Sequence, residues 1–511
     1  MPSTPCLLDG RSLSVGEVVR VARDPAVPVT VDAGARQRLQ ASRRAVEAAI
    51  ASGQTMYGIN TGFGKLANVR VRGDQLDQLQ ANLIRSHAAG VGDPLPRDVV
   101  RGLMLLRANV LLRPTSGVRP ELVDALVAML NRGLVPLVPE QGSVGASGDL
   151  APLSHVALAL MGEGELLDGR SGVRPAGAAL TAVGLSPFAF APKEGLAFIN
   201  GTQAQTAWLA LLVSDARVLW RTSVAAAAMS LEALRGTPAP LDPRIHEARP
   251  HAGQVAAAAL MRELLEESEI RESHRENDPR VQDAYSLRCA PQVFGAVADA
   301  VAFAERTAEV ELNASTDNPL VFEGEVLSGG NFHGQPVAQA LDFLAIALTT
   351  LQAIAERRVE RLVNPDLSQG LPAFLTADAG LSSGYMMVQI TAASLVAESR
   401  AIAMPASIGS IPTDANQEDF VPMGMAAAWK TRRILENARR VVAAELLCGA
   451  QGLEFIKPLT PGRGVGRLYQ RVRGLAPSVP PLGADRPPNP DLERLARAVA
   501  DGELDPGAWG N

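Results

Sequence analysis

The chain has 511 residues, 47% of them apolar and 20% charged, with a formal net charge of -6. That length predicts more than one hydrophobic core, and the composition excludes a mainly disordered protein. An acidic balance without any basic run lacks the electrostatic footprint of a nucleic-acid binder, so no nucleic acid is expected as a partner. The N-terminus, Met1-Pro2-Ser3-Thr4-Pro5, carries neither the basic patch nor the apolar core of a secretory signal. Cys6, Cys289 and Cys448 are too few and too scattered for a disulfide framework or a zinc site, which suits a reducing, cytoplasmic setting.

In chain order, the first clear element is Pro120 to Gly133. There Leu122, Ala125, Leu126, Met129 and Leu130 share one helical face between an initiating proline and a terminating glycine. Leu153 to Met161 is apolar and reads as a helix after a glycine-rich turn. Three runs without Gly or Pro follow, Thr202 to Arg235, Ala296 to Asn318 and Val337 to Asn364. Their length and their Ala/Leu/Glu/Arg content predict long helices. The Ala-rich run Val224 to Met229 inside the first of them fits a tightly packed helix. Ala379 to Ala397 is free of charge but holds Gly, Ser, Tyr and Gln, poor material for a membrane span. It reads as a loop entering a buried helix, and no membrane association is expected. Pro477 to Pro490 reads as a loop before a last short helix.

Pro and Gly gather in Gly53 to Gly64, Pro136 to Gly148, Pro187 to Gly201, Gly324 to Pro336 and Pro405 to Pro412. Loops held by a rigid scaffold are where functional groups concentrate. The pattern predicts a mainly α fold, a long central helix bundle with a smaller loop-rich N-terminal region, divided as 1–200 and 201–511 within one continuous unit.

Within Gly142 to Pro152 the glycines are spaced G-x-x-G-x-x-G and follow no clear strand, which excludes a dinucleotide fingerprint. Gly58 to Leu66 fails as a phosphate loop, because Ile59 and Leu66 stand where Gly and Ser/Thr are needed. Two readings of Ala146-Ser147-Gly148-Asp149 remain at this point. One is a turn followed by an Asp149 N-cap, with Pro152 in the first turn of the helix. The other is chemical: the Gly148 nitrogen attacks the Ala146 carbonyl to close a five-membered ring, and dehydration that includes the Ser147 hydroxyl leaves an exocyclic methylene. Gly offers an unhindered nitrogen and a compressible backbone, Ala adds little bulk, and Ser supplies the hydroxyl that leaves. The product is a methylidene-imidazolone electrophile (MIO), and no external cofactor is then needed.

Motifs in register across the chain decide between the two. They are Tyr57 to Gly64, Ser86 to Gly92, Gly142 to Leu153, Lys193 to Gln203, Val281 to Cys289, Ser328 to His333 and Ala415 to Asp419. With them the sequence resembles the MIO-dependent aromatic amino acid lyases, the bacterial histidine ammonia-lyases above all, from about Leu8 to the region of Leu453. The resemblance implies a fumarase/aspartase-like architecture, an MIO-bearing N-terminal region, and a homotetramer whose active sites draw on several subunits. It also implies a small amino acid as substrate, and histidine catabolism with urocanate as product.

Ammonia elimination removes a weakly acidic β-proton while the amine leaves, which calls for a base and an electrophile. The resemblance assigns the base to Tyr57 and places Asn200 and Tyr285 beside the MIO. Arg288 is implied to clamp the substrate carboxylate, with Gln282 an active-site amide two helical turns earlier if that segment is helical. His87 and Glu418 match positions expected to contact an imidazole, where phenylalanine-specific relatives tend to carry an amide in place of Glu418, and Phe332 is expected to stack on the substrate ring. A tyrosine or phenylalanine ammonia-lyase or an aminomutase would share these catalytic residues; Glu418 and Asn60 to Gly64 favour histidine. One departure adjoins Glu418: relatives usually continue with His-Val-Ser-Met, and this chain has Phe420-Val421-Pro422-Met423. The six histidines show no metal-ligand spacing, so no metal is expected.

Overall fold

The computed structural model describes residues 4–52, 57–169, 172–276, 278–323 and 325–509. Residues 53–56 of the loop predicted at 53–64, Gly324 of the loop at 324–336, and Met1 to Ser3 of the N-terminal stretch lie outside the described residues. The protein is mainly helical, and its strands are short and paired in two-stranded sheets.

By contacts the chain forms two units. The first holds residues 1–214, 304–342 and 405–429, and the second holds 215–303, 343–404 and 430–511. The first unit therefore adds two later segments to the N-terminal region.

Within the first unit, the helix Val15–Arg23 starts from a complete capping box in which Ser14 and Glu17 satisfy each other's backbone N–H. It packs on Arg97–Leu111, a helix buried along almost its whole length. The predicted helix at 120–133 is observed as Pro120–Asn131. The apolar stretch after the glycine-rich turn is the helix Leu150–Leu160. Val46, Ile59 and Val321 form a small core beneath the Tyr57 loop.

Gly/Pro-free runs locate the long helices well. They are Gln203–Ala233, Ala290–Glu311 and Gln335–Val363, and a fourth, Gly424–Glu454, contains Gly449 and Gly452 near its end. The second of these corrects the expected Ala296 to Asn318 at both ends. Pro291 sits in its first turn, where a proline's missing N–H costs nothing. Beyond Glu311, Asn313 leaves the helix to exchange hydrogen bonds with Leu13, its Nδ2 donating to Leu13 O at 2.8 Å. Gln335–Val363 is long and apolar enough to cross a membrane by length and composition, and 61% of its most apolar window is buried inside the protein. Residues 379–385 are a loop leading into the helix Met386–Ile402, as expected, but that helix is not the buried one expected: it buries one face, including Val388, Ala392 and Val396, and exposes Met387 and Ile390.

Segments of all four long helices meet in the second unit around one buried ion pair. Arg358 Nε donates to Glu445 Oε1 at 2.5 Å, with both side chains fully buried. Ser230 Oγ donates to the same oxygen at 2.8 Å, and the guanidinium lies 5.3 Å from the centroid of the Phe294 ring. Small residues let the helices approach: Ala225 to Ala228 are buried, and a side chain on Gly452 would press on Ala233. Arg358→Met strands the Glu445 carboxylate without its countercharge and should cost about 3–5 kcal/mol, read as a lower denaturant midpoint of unfolding; an unchanged midpoint would contradict this account of the bundle.

Candidate active site

Residues 142–149 connect the strand Pro139–Gln141 to the helix Leu150–Leu160. Their backbone doubles back so far that Gly148 makes bridge contacts with both Gly145 and Ala146. Gly148 has φ +74°, and a Cβ there would collide with the backbone of Gly201. Only glycine satisfies both conditions.

Asp149 anchors this turn. It occupies the N-cap position of Leu150–Leu160, yet its side chain makes no cap hydrogen bond to that helix. The expected N-cap role is corrected: the carboxylate faces the start of Gln203–Ala233 instead. It accepts from Ala204 N at 2.9 Å, Gln205 N at 3.0 Å and Ser143 Oγ at 2.9 Å. A helix start offers unsatisfied N–H groups and favours negative charge. Burial nevertheless pushes the Asp149 carboxyl up to about 6, against the pull of these donors. In the main chain, Asp149 N–H donates to Gly201 O at 2.6 Å.

That bond brings Asn200 to the turn. Asn200 Nδ2 donates to Ser147 O at 2.6 Å, while its Oδ1 is buried without a partner. Behind it, the fully buried Arg107 donates to Asn200 O at 3.1 Å, and to Ala197 O and Gln203 Oε1 at 2.5 Å each. Burial lowers that guanidinium to about 10. Lys193 Nζ pairs with Asp317 at 3.0 Å at the same depth, with side-chain exposures of 0% and 1%.

A cavity of about 1060 Å³ opens on Ser147. Ala146, Tyr57, His87, Asn200, Phe332 and Glu418, expected at the site from the sequence, line it together with His333, Asp414 and Phe420. Glu418 Oε1 accepts from Ser147 Oγ at 2.5 Å, and its other oxygen accepts from the Thr413 hydroxyl. His87 donates from Nδ1 to Leu83 O at 2.8 Å. Burial lowers its pKa, so the neutral ring presents an unprotonated Nε2. The hydroxyl of Tyr57 accepts from Gly64 N at 3.2 Å.

Gln282, Tyr285 and Arg288 are not among the lining residues; they belong to the second unit. Tyr285 is 69% exposed, and the Arg288 guanidinium lies 4.7 Å from the centroid of its ring. The local helix spans only Tyr285–Arg288, so Gln282 precedes it and the two-turn spacing to Arg288 does not apply. Sequence reasoning missed Arg107, whose one signal was a charge inside the stretch Gly102 to Leu112, where Asn109 is the one other polar side chain, and Asp414, which had none.

Removing the Asp149 donor set's acceptor, as in Asp149→Ala, should destabilise by about 1–3 kcal/mol by orphaning buried N–H groups. The pH dependence follows from a folded-state value near 6 against 3.8 for the ordinary carboxyl. This group's contribution is fully present below the lower value and is lost as pH rises through about 6. In Asp149→Asn that segment of the stability–pH curve should flatten; an identical curve for parent and variant would refute the assignment.

Comparison with known proteins places these features. A family model described as aromatic amino acid lyase matches residues 13–474. The histidine ammonia-lyase of Gloeobacter violaceus is 51% identical over 500 residues, covering 98% of this chain and 96% of that protein. The structure of histidine ammonia-lyase from Trypanosoma cruzi aligns with a TM-score of 0.90 at 42% identity, covering 98% and 94% of the two chains. A tyrosine aminomutase from Streptomyces globisporus aligns with a TM-score of 0.93 at 39% identity, covering 98% of each. With a backbone turn that admits only glycine at its third residue, and with these likenesses over nearly the whole length, the chain belongs to the aromatic amino acid lyase family.

Proposed function

We propose that this protein acts as a histidine ammonia-lyase, a carbon–nitrogen lyase that eliminates ammonia from L-histidine to give urocanate. The observation that carries the reading is the Glu418 carboxylate on Ser147 Oγ. Dehydration of Ser147 removes that donor and leaves Glu418 Oε1 in need of another inside the cavity. An imidazole N–H supplies one, and the unprotonated Nε2 of His87 lines the same space.

The residues fit an MIO built from Ala146-Ser147-Gly148. The turn is compressed, position 148 admits no side chain, and the Asn200 amide already donates to Ser147 O. Once formed, the MIO supplies an electrophilic carbon for the substrate amine. Asn200 Nδ2, which donates to the Ser147 carbonyl oxygen, would hold the group at that atom and offer its N–H to negative charge there. Tyr57 takes the β-proton as its phenolate, whose oxygen accepts the Gly64 N–H before the transfer. Phe332 and Phe420 give the cavity apolar walls.

For Gln282, Tyr285 and Arg288 we propose that they complete the site of another copy in a homotetramer, Arg288 holding the substrate carboxylate and Tyr285 standing by the MIO. Support comes from the exposure of Tyr285 and from Val281, 98% exposed. The second unit also presents Phe303, Phe343, Ile346, Met387 and Ile390 to solvent, apolar side chains that a subunit interface would cover. A cytoplasmic setting is supported by the three cysteines, all unpaired.

L-histidine should yield urocanate in a panel that includes L-tyrosine and L-phenylalanine; turnover of the other two alone would replace the substrate assigned here with that of a tyrosine or phenylalanine lyase or aminomutase. Intact mass should be two water molecules below the sequence value. Ser147→Ala should retain those waters, keep its fold and lose most activity, and a fully active variant would sink the mechanism.

A further inference from the structure

Three consecutive non-glycine residues beside the cavity, Asp414, Ala415 and Asn416, hold left-handed backbone with φ of 47°, 50° and 68°. Such conformations persist only where the surroundings over-determine them, and they concentrate where geometry serves function. The turn is closed by its own main chain, Gln417 N donating to Asp414 O and Thr413 N to Glu418 O, both at 2.9 Å.

One consequence reaches outside the turn. The conformation directs the Asp414 carboxylate onto the loop that carries Tyr57. Asp414 Oδ2 accepts from Lys65 N at 3.1 Å, and it sits so tightly against Gly64 that a Cβ there would collide with it. Gly64 itself is left-handed, with φ +51°, a conformation that favours glycine, and any side chain there would displace the Asp414 carboxylate. The Gly64 N–H then donates to the Tyr57 hydroxyl oxygen. On its far side the same turn presents Glu418, which accepts from Ser147. A single carboxylate thus ties the loop of the base to the turn of the imidazole partner.

We propose that Asp414 is a positioning residue. By clamping the backbone at Gly64 and Lys65 it fixes the Tyr57 oxygen relative to Glu418 across the cavity. The inference rests on the roles of Tyr57 and Glu418 given above and adds to them a residue at the cavity edge that acts through the loop of the base. A clamp of this kind acts on turnover more than on binding, because the base must meet the β-proton within a narrow range of positions.

The test compares Asp414→Ala with Asp414→Asn in the full-length protein. Both remove the charge, and only asparagine keeps an acceptor for the Lys65 N–H. Asp414→Ala should lower kcat for L-histidine by about tenfold or more, the scale set by a misplacement of under about 1 Å. KM should change less, and amide exchange across residues 57–67 should accelerate. Asp414→Asn should bring both kcat and exchange back toward the parent. Parental kcat and exchange in Asp414→Ala, or an Asp414→Asn protein as impaired as Asp414→Ala, would overturn the proposal. Should the parent itself not turn over L-histidine, the proposed function fails and exchange alone judges the clamp: faster in the alanine than in the asparagine variant supports it, and equal rates refute it.

Discussion

The buried carboxylate of Asp149 is where the geometry of the site is decided. Its side chain joins the Ala146-Ser147-Gly148 turn to the first N–H groups of the helix Gln203–Ala233, and its own N–H holds Gly201 O. A helix start is a fixed object, with its donors aimed along one axis. By seating a carboxylate on it, the chain converts a short glycine-rich loop into a turn with one shape. Asn200, adjacent to Gly201, is then set against Ser147 O without any further contrivance. Burying the carboxylate carries a desolvation cost, seen in its raised pKa, and several donors offset it.

Behind Asp149 the supports are again charged and buried. Arg107 holds the carbonyl oxygens of Ala197 and Asn200, Thr202 Oγ1 donates to Glu311 at 2.5 Å, and Lys193 meets Asp317. Buried ion pairs contribute little net stability compared with apolar packing. Directional bonds do fix where backbone atoms lie, and the chemistry proposed here is backbone chemistry. Its reactive atoms belong to Ala146, Ser147 and Gly148, so the main chain has to be placed with the care usually given to side chains.

Long helices were legible because runs without Gly or Pro are long only where a helix needs them. The same criterion reaches most of Gly424–Glu454, free of Gly and Pro from Met425 to Cys448, but stops short of its end, because Gly449 and Gly452 lie inside it to let Met229 and Ala233 approach. It also truncated Ala290–Glu311 at Gly295, where a Cβ would press on the backbone of Gln254. Close helix approach and helix breaking use the same residue, and only the partner helix tells them apart. For the site, residue types within motifs were legible, as with Tyr57, Asn200 and Glu418. The side chain of Asp149 was not, because its partners lie 55 and 56 residues away. Nor was Asp414, whose role depends on a backbone conformation that no local propensity announces.

The departure beside Glu418 can now be weighed physically. Phe420 stacks on His333, with ring centroids 6.1 Å apart and planes 15° from parallel, and Pro422 lies against Gly145. Both residues therefore touch the site. Yet the bonds that hold this segment are made by its main chain: His333 Nε2 donates to Phe420 O at 3.1 Å, Val421 N to Ser410 Oγ at 2.9 Å and Met423 N to Val144 O at 2.9 Å. Phe420 contributes its carbonyl whatever its side chain, and a proline at 422 gives up an N–H that none of these three anchors uses. Changing these side chains alters one wall of the cavity and leaves the Glu418 carboxylate where Thr413 and Ser147 hold it. In the proposed function, recognition of an imidazole rests on Glu418 and His87, and the aromatic face of Phe420 adds an apolar wall that suits a flat ring.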